Sequence, residues 1–180
     1  MNIPAIKSSI DVAYWFLAKA EDEGLFLEDE KLHHLLFLSQ LIYAKENAQM
    51  LMPCLFMCGE KGFFEPNIKT IFANGRPFMP KVKADENLHL FLETVWNRYK
   101  QLSILQLNNI VMNTSLFNET HKKGVETVVS WNSLVDKSRE YGTIREDDNL
   151  VSKAPKILLS QNGPVLVSQW KPRKVTKDEL

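Results

Sequence analysis

The residues whose side chains could do chemistry are two cysteines and four histidines. Cys54 and Cys58 form a Cys-x3-Cys pair, a spacing within the range used by zinc sites. Zinc would need a second pair of ligands, and no other cysteine or histidine pair has the spacing to supply it. On a strand the two cysteines would face the same side as small core residues. The pattern therefore favours structural cysteines and predicts no metal site.

The histidines do not form a recognisable catalytic pattern either. His33 and His34 are adjacent, and on a helix their side chains would point about 100° apart, so they could not share one ligand. We expect one of them at the edge of the core and the other in solvent. No G-x-S-x-G, P-loop, H-E-x-x-H or G-x-G-x-x-G motif occurs. The absence of these motifs does not exclude an enzyme, but it leaves no positive reason to name one, and we predict no catalytic residue.

The composition is that of an ordinary globular protein. The 180 residues are 44% hydrophobic, enough for one domain with a real core, predicted to span 1–180. Lys and Arg number 22, as do Asp and Glu, so the chain lacks the basic excess typical of nucleic-acid binding, and nucleic acid is disfavoured as a partner. With only two cysteines, a reducing cytoplasm is the expected location.

Targeting signals are weak. No apolar run approaches the roughly 18 residues that span a bilayer, so no membrane association is expected. Residues 12–17 resemble the core of a signal peptide, but the run is short and Asp11 stands directly before it. The last four residues, 177–180, read Lys-Asp-Glu-Leu, an ER-retention signal that we interpret as coincidence without an entry signal.

Hydrophobic periodicity predicts a mainly α fold, a compact bundle of about five helices. They are expected at 9–20, 29–47, 86–101, after Ser103, and at 125–140. The second of them is apolar around almost its whole circumference, which predicts a central, buried helix.

Shorter elements are expected between and after these helices. Residues 53–80 are rich in Pro and Gly, so we expect a short strand element near 54–64 and one short helix at 66–73. Residues 113–124 are polar and predict a loop. Asn-Gly between two apolar runs predicts a C-terminal β-hairpin near 156–168, reached through an exposed linker at 142–154.

Two segments are candidates for binding a partner. Phe63 and Phe64 follow a glycine; they fit core anchors of a loop best, and an exposed apolar patch is the alternative. Near the C-terminus an aromatic residue stands among cations, a composition frequent in interfaces. These residues are Trp170, Lys171, Arg173 and Lys174. A solvated tail with its tryptophan covering the core fits that segment equally well.

Residues 31–40, with the sequence KLHHLLFLSQ, resemble the L-x-K-L-L-Y-F-A-Q helix of the Panacea domain. This family is also called SocA-like and, in phages, GepA. Residues 58–66 stand in the place of the family's strand and Gly-Pro-Val turn, and 95–107 match its helix ending in Tyr and the following Leu-Ser start. The resemblance covers 9–112, whereas 113–180 diverge.

The sequence departs from the family pattern at two places. The Gly-Pro-Val turn survives only as Gly62-Phe63-Phe64. Residues 112–114 read Met-Asn-Thr where the family has Thr-His before a Pro-Trp. The motifs concerned are packing motifs, so they support the fold more than the function.

The resemblance implies a helical fold with a small strand element, no cofactor and a protein partner. The family is similar to antitoxins that neutralise diverse protein toxins, and one type delivers its toxin to a protease. Because partner choice in the family is broad, the binding surface is expected outside the shared core. Our hypothesis is that the C-terminal hairpin and residues 170–174 contact a cognate toxin.

Two rival functions belong to other classes. A helical DNA-binding regulator would use residues 88–101 and 103–112 as a helix-turn-helix, but the second helix is too apolar and few basic residues lie nearby. An enzyme without a recognisable motif would show pH-dependent turnover that changes when His33 or His121 is substituted.

Overall fold

The computed structural model describes residues 3–73, 75, 86–141, 156–160 and 163–167. The chain divides into two compact units, residues 1–144 and 145–180. The described part of the first unit contains seven α-helices and one small two-stranded sheet, so the bundle has more helices than the five expected. No helix in the described part is long and apolar enough to cross a membrane.

The first helix, α1, spans Ser9–Asp22. It begins at Ser8, whose hydroxyl accepts a hydrogen bond from the Ile10 N–H at 3.1 Å, a standard N-terminal cap. One face, including Val12 and Phe16, is buried in the core. The helix predicted at 9–20 is therefore present and slightly longer.

The central helix, α2, spans Asp29–Asn47, as the sequence predicts. Residues 32–42 are all buried, about three full turns, so the core covers every face of this stretch. Two of its buried polar side chains are hydrogen-bonded to backbone groups: the Ser39 hydroxyl donates to the Leu35 carbonyl at 2.6 Å, and Gln40 Oε1 accepts from the Met52 N–H at 3.1 Å. Helices on several sides pack against α2, so it organises the unit.

A short hairpin follows. Strand β1, Met57–Cys58, pairs antiparallel with β2, Phe63–Phe64. This pairing confirms the short strand element expected near 54–64. Each of the two strands is only two residues long. Helix α3, Pro66–Phe72, comes next, with proline in its first turn. The Glu65 carboxylate caps it by accepting from the Ile68 N–H at 2.7 Å.

Helices α4, Glu86–Tyr99, and α5, Ile104–Met112, agree with the sequence prediction to within two residues. A capping box fixes the start of α5. The Ser103 hydroxyl accepts from the Gln106 N–H at 3.3 Å, and Gln106 Oε1 accepts from the Ser103 N–H at 2.9 Å.

The prediction of a loop at 113–124 is wrong, because this segment contains helix α6, Ser115–His121. Thr114 caps it by accepting a hydrogen bond from the Phe117 N–H at 3.1 Å. Leu116 and Phe117 on its inner face are buried, and this short apolar face stabilises the helix within a polar sequence.

The helix expected at 125–140 begins later, as α7, Trp131–Ser138. Residues 127–129 are instead extended and bond to β1 and the residue before it: the Cys58 N–H donates to the Thr127 carbonyl at 2.9 Å, and the Val129 N–H donates to the Phe56 carbonyl at 2.8 Å. Glu126 has a positive φ of 64°, which is incompatible with a helix at that point.

The second unit contains two strands, β3, Lys156–Ser160, and β4, Gly163–Val167. They pair antiparallel, with Lys156 opposite Val167 and Ser160 opposite Gly163. The expected Asn-Gly turn falls partly on residues 161–162, which lie outside the described residues, as does the linker expected at 142–154.

Candidate functional site: an apolar strip beside a histidine pocket

The outer face of the small sheet carries apolar side chains in register. Met57 lies directly opposite Phe64 on one side and forms an antiparallel bridge with Val128 on the other. Residues opposite each other in a sheet project to the same face, so these three side chains form a row. Val128 is 48% exposed, and Leu55, two residues before Met57, is 43% exposed. We call Leu55, Met57, Phe64 and Val128 the outer strip.

Strand alternation sends the neighbouring residues inward. Cys58 and Phe63 are fully buried opposite one another, whereas Met57 and Phe64 remain half-exposed. The Phe63 ring lies between those of Phe37, at a centroid distance of 4.5 Å, and Phe117, at 5.5 Å. Of the two phenylalanines that the sequence singled out, Phe63 is therefore a core residue, and only Phe64 faces outward.

The turn joining the two strands is held tightly against α2. The Gly59 N–H donates to the Gly62 carbonyl at 2.7 Å, closing the turn over residues 59–62. At Gly62 a Cβ would lie 2.5 Å from His34 Cε1, closer than any real side chain approaches. Glycine at this position therefore allows the hairpin to lie directly on the His34 ring.

A cavity of about 420 Å³ adjoins the outer strip and is bordered by α2, the hairpin and α3. We call it the histidine pocket. Its wall is mainly apolar, and four charged side chains border it. Apolar side chains in the wall include Leu32, Phe64, Ile68 and Phe72, and the charged ones are Asp29, Glu30, Lys61 and Lys69. The Lys69 ammonium lies 4.7 Å from the Phe64 ring centroid, a cation–π distance.

His33 is buried at the edge of this pocket, with only 9% of its surface exposed. Its Nδ1 accepts a hydrogen bond from the Glu65 N–H at 3.3 Å. Burial lowers the pKa of His33 to about 4, with the neighbouring His34 adding to the effect, so the ring is neutral near pH 7. A neutral ring that accepts at Nδ1 carries its proton on Nε2.

His34 is held in a chain of hydrogen bonds. Asn108 Nδ2 donates to Glu30 Oε1 at 3.1 Å, so Asn108 Oδ1 faces His34 and accepts from its Nε2–H at 2.5 Å. Burial lowers the pKa of His34, although the bond to Asn108 acts in the opposite direction. Its Nδ1 is buried and accepts no hydrogen bond from any described residue. Both histidines are thus buried, and the expectation that one would face solvent is wrong.

The cysteines are poor candidates for reactive groups. Both are free thiols, Cys58 buried and Cys54 half-buried. Burial raises the pKa of each thiol above its ordinary value, and the nearby Glu65 carboxylate raises that of Cys54 further. The thiolate is the reactive and metal-binding form, so both side chains stay protonated and inert near neutrality. Within the described ranges no group of three or more His, Cys, Asp or Glu residues is arranged to hold a metal ion.

The other partner-binding residues expected from the sequence, Trp170, Lys171, Arg173 and Lys174, lie outside the described residues. Sequence reasoning missed Leu55, Met57 and Val128, which complete the outer strip. The signal that could have identified Val128 is the β-branched run that includes Val125 and Val129, which favours an extended strand over the helix expected there.

Comparisons with protein-family models, with curated proteins and with solved structures found no match.

Proposed function

We propose that this chain is a non-catalytic, cytoplasmic protein-binding module of the antitoxin type. It would neutralise a partner toxin by direct binding or deliver that toxin to a protease. The observation that carries the proposal is the outer strip, a row of Phe64, Met57 and Val128 that projects from the sheet with Leu55 beside it. Aromatic residues and methionine are enriched in protein interfaces, and contiguous exposed apolar surface commonly marks a binding site.

The resemblance to the Panacea domain supports the choice of a toxin as partner. The residues that carry the resemblance include α2 and the hairpin after it, so Leu55, Met57 and Phe64 of the outer strip belong to the region that resembles the family, whereas Val128 lies beyond it. The C-terminal hairpin and residues 170–174 remain our second proposed contact with the same partner, because their composition is typical of interfaces.

The first experiment identifies the partner. The tagged chain is expressed in its native host at moderate salt, and co-purifying proteins are identified by mass spectrometry. We expect one stoichiometric protein that arrests growth when expressed alone. A preparation that carries nucleic acid instead would favour the DNA-binding regulator, and one that carries nothing would contradict the proposal.

The second experiment maps the surface on that partner. The double variant Leu55→Ser, Val128→Ser removes apolar surface from two exposed positions, so its circular dichroism spectrum should not change. Binding measured by calorimetry should weaken about tenfold or more if these positions are central to the interface. The matched control is Leu105→Ser, a 70% exposed residue of α5 outside the strip, which should leave affinity unchanged. Equal effects of the two variants would reject the strip as the interface.

The third experiment tests the C-terminal contact. Deletion of residues 155–180 should abolish partner binding while the helical circular dichroism signal remains. Full affinity after deletion would eliminate the C-terminal contact and leave the strip as the proposed interface.

A further inference from the structure

The histidine pocket has the size and wall of a small-ligand site. Its volume of about 420 Å³ falls within the roughly 300–1,000 Å³ typical of such pockets. Two phenylalanine rings, Phe64 and Phe72, and the aliphatic side chains of Leu32 and Ile68 line it. A wall of this kind favours a planar, apolar body.

One polar group gives the pocket its specificity. Since His33 Nδ1 is engaged by the Glu65 N–H, the proton of the neutral ring is on Nε2. That N–H has no hydrogen-bond partner among the described residues, although His33 is more than nine-tenths buried and borders the pocket. A donor at the pocket wall that no described residue engages is free to bond to a ligand that brings an acceptor.

The charges around the pocket cancel. Lys61 and Lys69 border it together with Asp29 and Glu30, so the lining has two positive and two negative groups. Glu30 also accepts from Asn108, and the Lys69 ammonium lies against the face of Phe64. A ligand with a net charge of either sign gains little from such a balanced lining and loses hydration on entry.

We infer that the histidine pocket binds a small, planar, uncharged aromatic compound whose carbonyl oxygen accepts a hydrogen bond from His33 Nε2–H. The inference does not depend on the toxin-binding proposal, although Phe64 belongs both to this pocket and to the outer strip. The ligand class follows from three features, namely the aromatic wall, the His33 donor that lacks a protein partner among the described residues and the balance of charge.

The test uses three one-ring probes of similar shape with the full-length protein: benzamide, benzoate and toluene. Binding is followed by ligand-observed NMR and by ¹⁵N shifts of the histidine side chains. We expect benzamide to bind and to shift His33 Nε2, and toluene to bind about fivefold more weakly because it lacks the acceptor. Equal binding of toluene and benzamide, tighter binding of benzoate, or no binding of any probe would overturn the inference.

Two variants locate the probe. His33→Phe keeps an aromatic ring but removes the donor, and it should weaken benzamide about fivefold while sparing toluene. Because this variant also removes the acceptor for the Glu65 N–H, Ala73→Leu provides an independent test. Ala73 is an exposed residue at the border of the pocket, so a larger side chain there should narrow the cavity without disturbing the core, and both probes should weaken. Unchanged benzamide binding in Ala73→Leu would place the probe elsewhere and refute the site.

Discussion

Gly62 lies directly against the imidazole of His34, at a distance that leaves no room for a side chain. A Cβ at position 62 would lie 2.5 Å from His34 Cε1 and 3.1 Å from its Nδ1. The His34 ring cannot easily retreat, because its Nε2 is bonded to Asn108 on α5. This contact joins the hairpin, the central helix and α5, and it fixes the position of both the outer strip and the histidine pocket.

Substitution of Gly62 by alanine should therefore destabilise the protein by about 1–3 kcal/mol, as overpacking of a closed site does. The matched control is Gly24→Ala, at a residue that also has a positive φ, 67°, but has no atom within 4 Å of an added Cβ. Strain alone should cost about 1 kcal/mol there. Urea unfolding measures the free energy of unfolding of both variants. Equal losses of stability would show that the close approach of Gly62 to His34 contributes nothing.

The low pKa of His33 makes stability depend on pH in a defined window. The folded state holds this pKa at about 4, below the ordinary 6.5, so the unfolded chain binds the proton more tightly. The free energy of unfolding should be highest above pH 6.5 and should fall as the pH decreases towards 4. Protonation of His33 should account for a loss of about 3 kcal/mol. His34 acts in the same direction.

Urea midpoints from pH 7.5 to 4.5 provide the measurement. The variant His33→Gln, which has no ionisable group, should show a distinctly shallower decline than the wild type. If the two profiles ran parallel, His33 would not be the group that titrates.

Phe63 and Phe64 are adjacent, but we expect substitution of Phe63 to lower stability and substitution of Phe64 to weaken partner binding. Phe63 is 1% exposed between two other rings, so Phe63→Ala should cost about 3–5 kcal/mol, the usual loss for a core phenylalanine. Phe64 is half-exposed on the outer strip, so Phe64→Ala should cost far less stability and act mainly on partner binding. Thermal unfolding and partner affinity, measured on both variants, separate the two roles. A similar loss of stability in both would contradict the alternation of the strand.

These two residues also show where sequence reasoning succeeds and where it ends. The pair is conspicuous in the sequence, but which ring faces inward depends on the pairing of Phe64 with Met57, a relationship set by the fold. Helix α2 could be predicted to its ends because its apolar pattern is local and continuous.

Longer-range relationships were harder to predict. The extended run at 127–129 was missed because its partner, β1, lies about 70 residues earlier in the chain, so no local pattern reveals the pairing. The burial of His34 depends on Asn108 in the same way, through a bond between residues 74 positions apart.

The last prediction concerns Lys31, in the first turn of α2. Its ammonium group reaches across to the end of α4 and donates to the Lys100 carbonyl at 2.7 Å and to the Leu102 carbonyl at 2.8 Å. Lys31 is half-buried, and this burial lowers the pKa of its ammonium group. Lys31→Met keeps a long aliphatic side chain but leaves both carbonyls without this donor. We therefore expect the free energy of unfolding to fall by about 1–3 kcal/mol.

Lys31→Arg restores a donor and a charge at nearly the same reach, and it should recover most of the lost stability. The comparison by urea unfolding distinguishes hydrogen bonding from simple packing, because the Met side chain packs as well as the aliphatic part of Lys. If Lys31→Met were as stable as the wild type, the two carbonyl bonds would contribute nothing net, and the junction between α4 and α5 would be held by the Ser103–Gln106 capping box and by core packing alone.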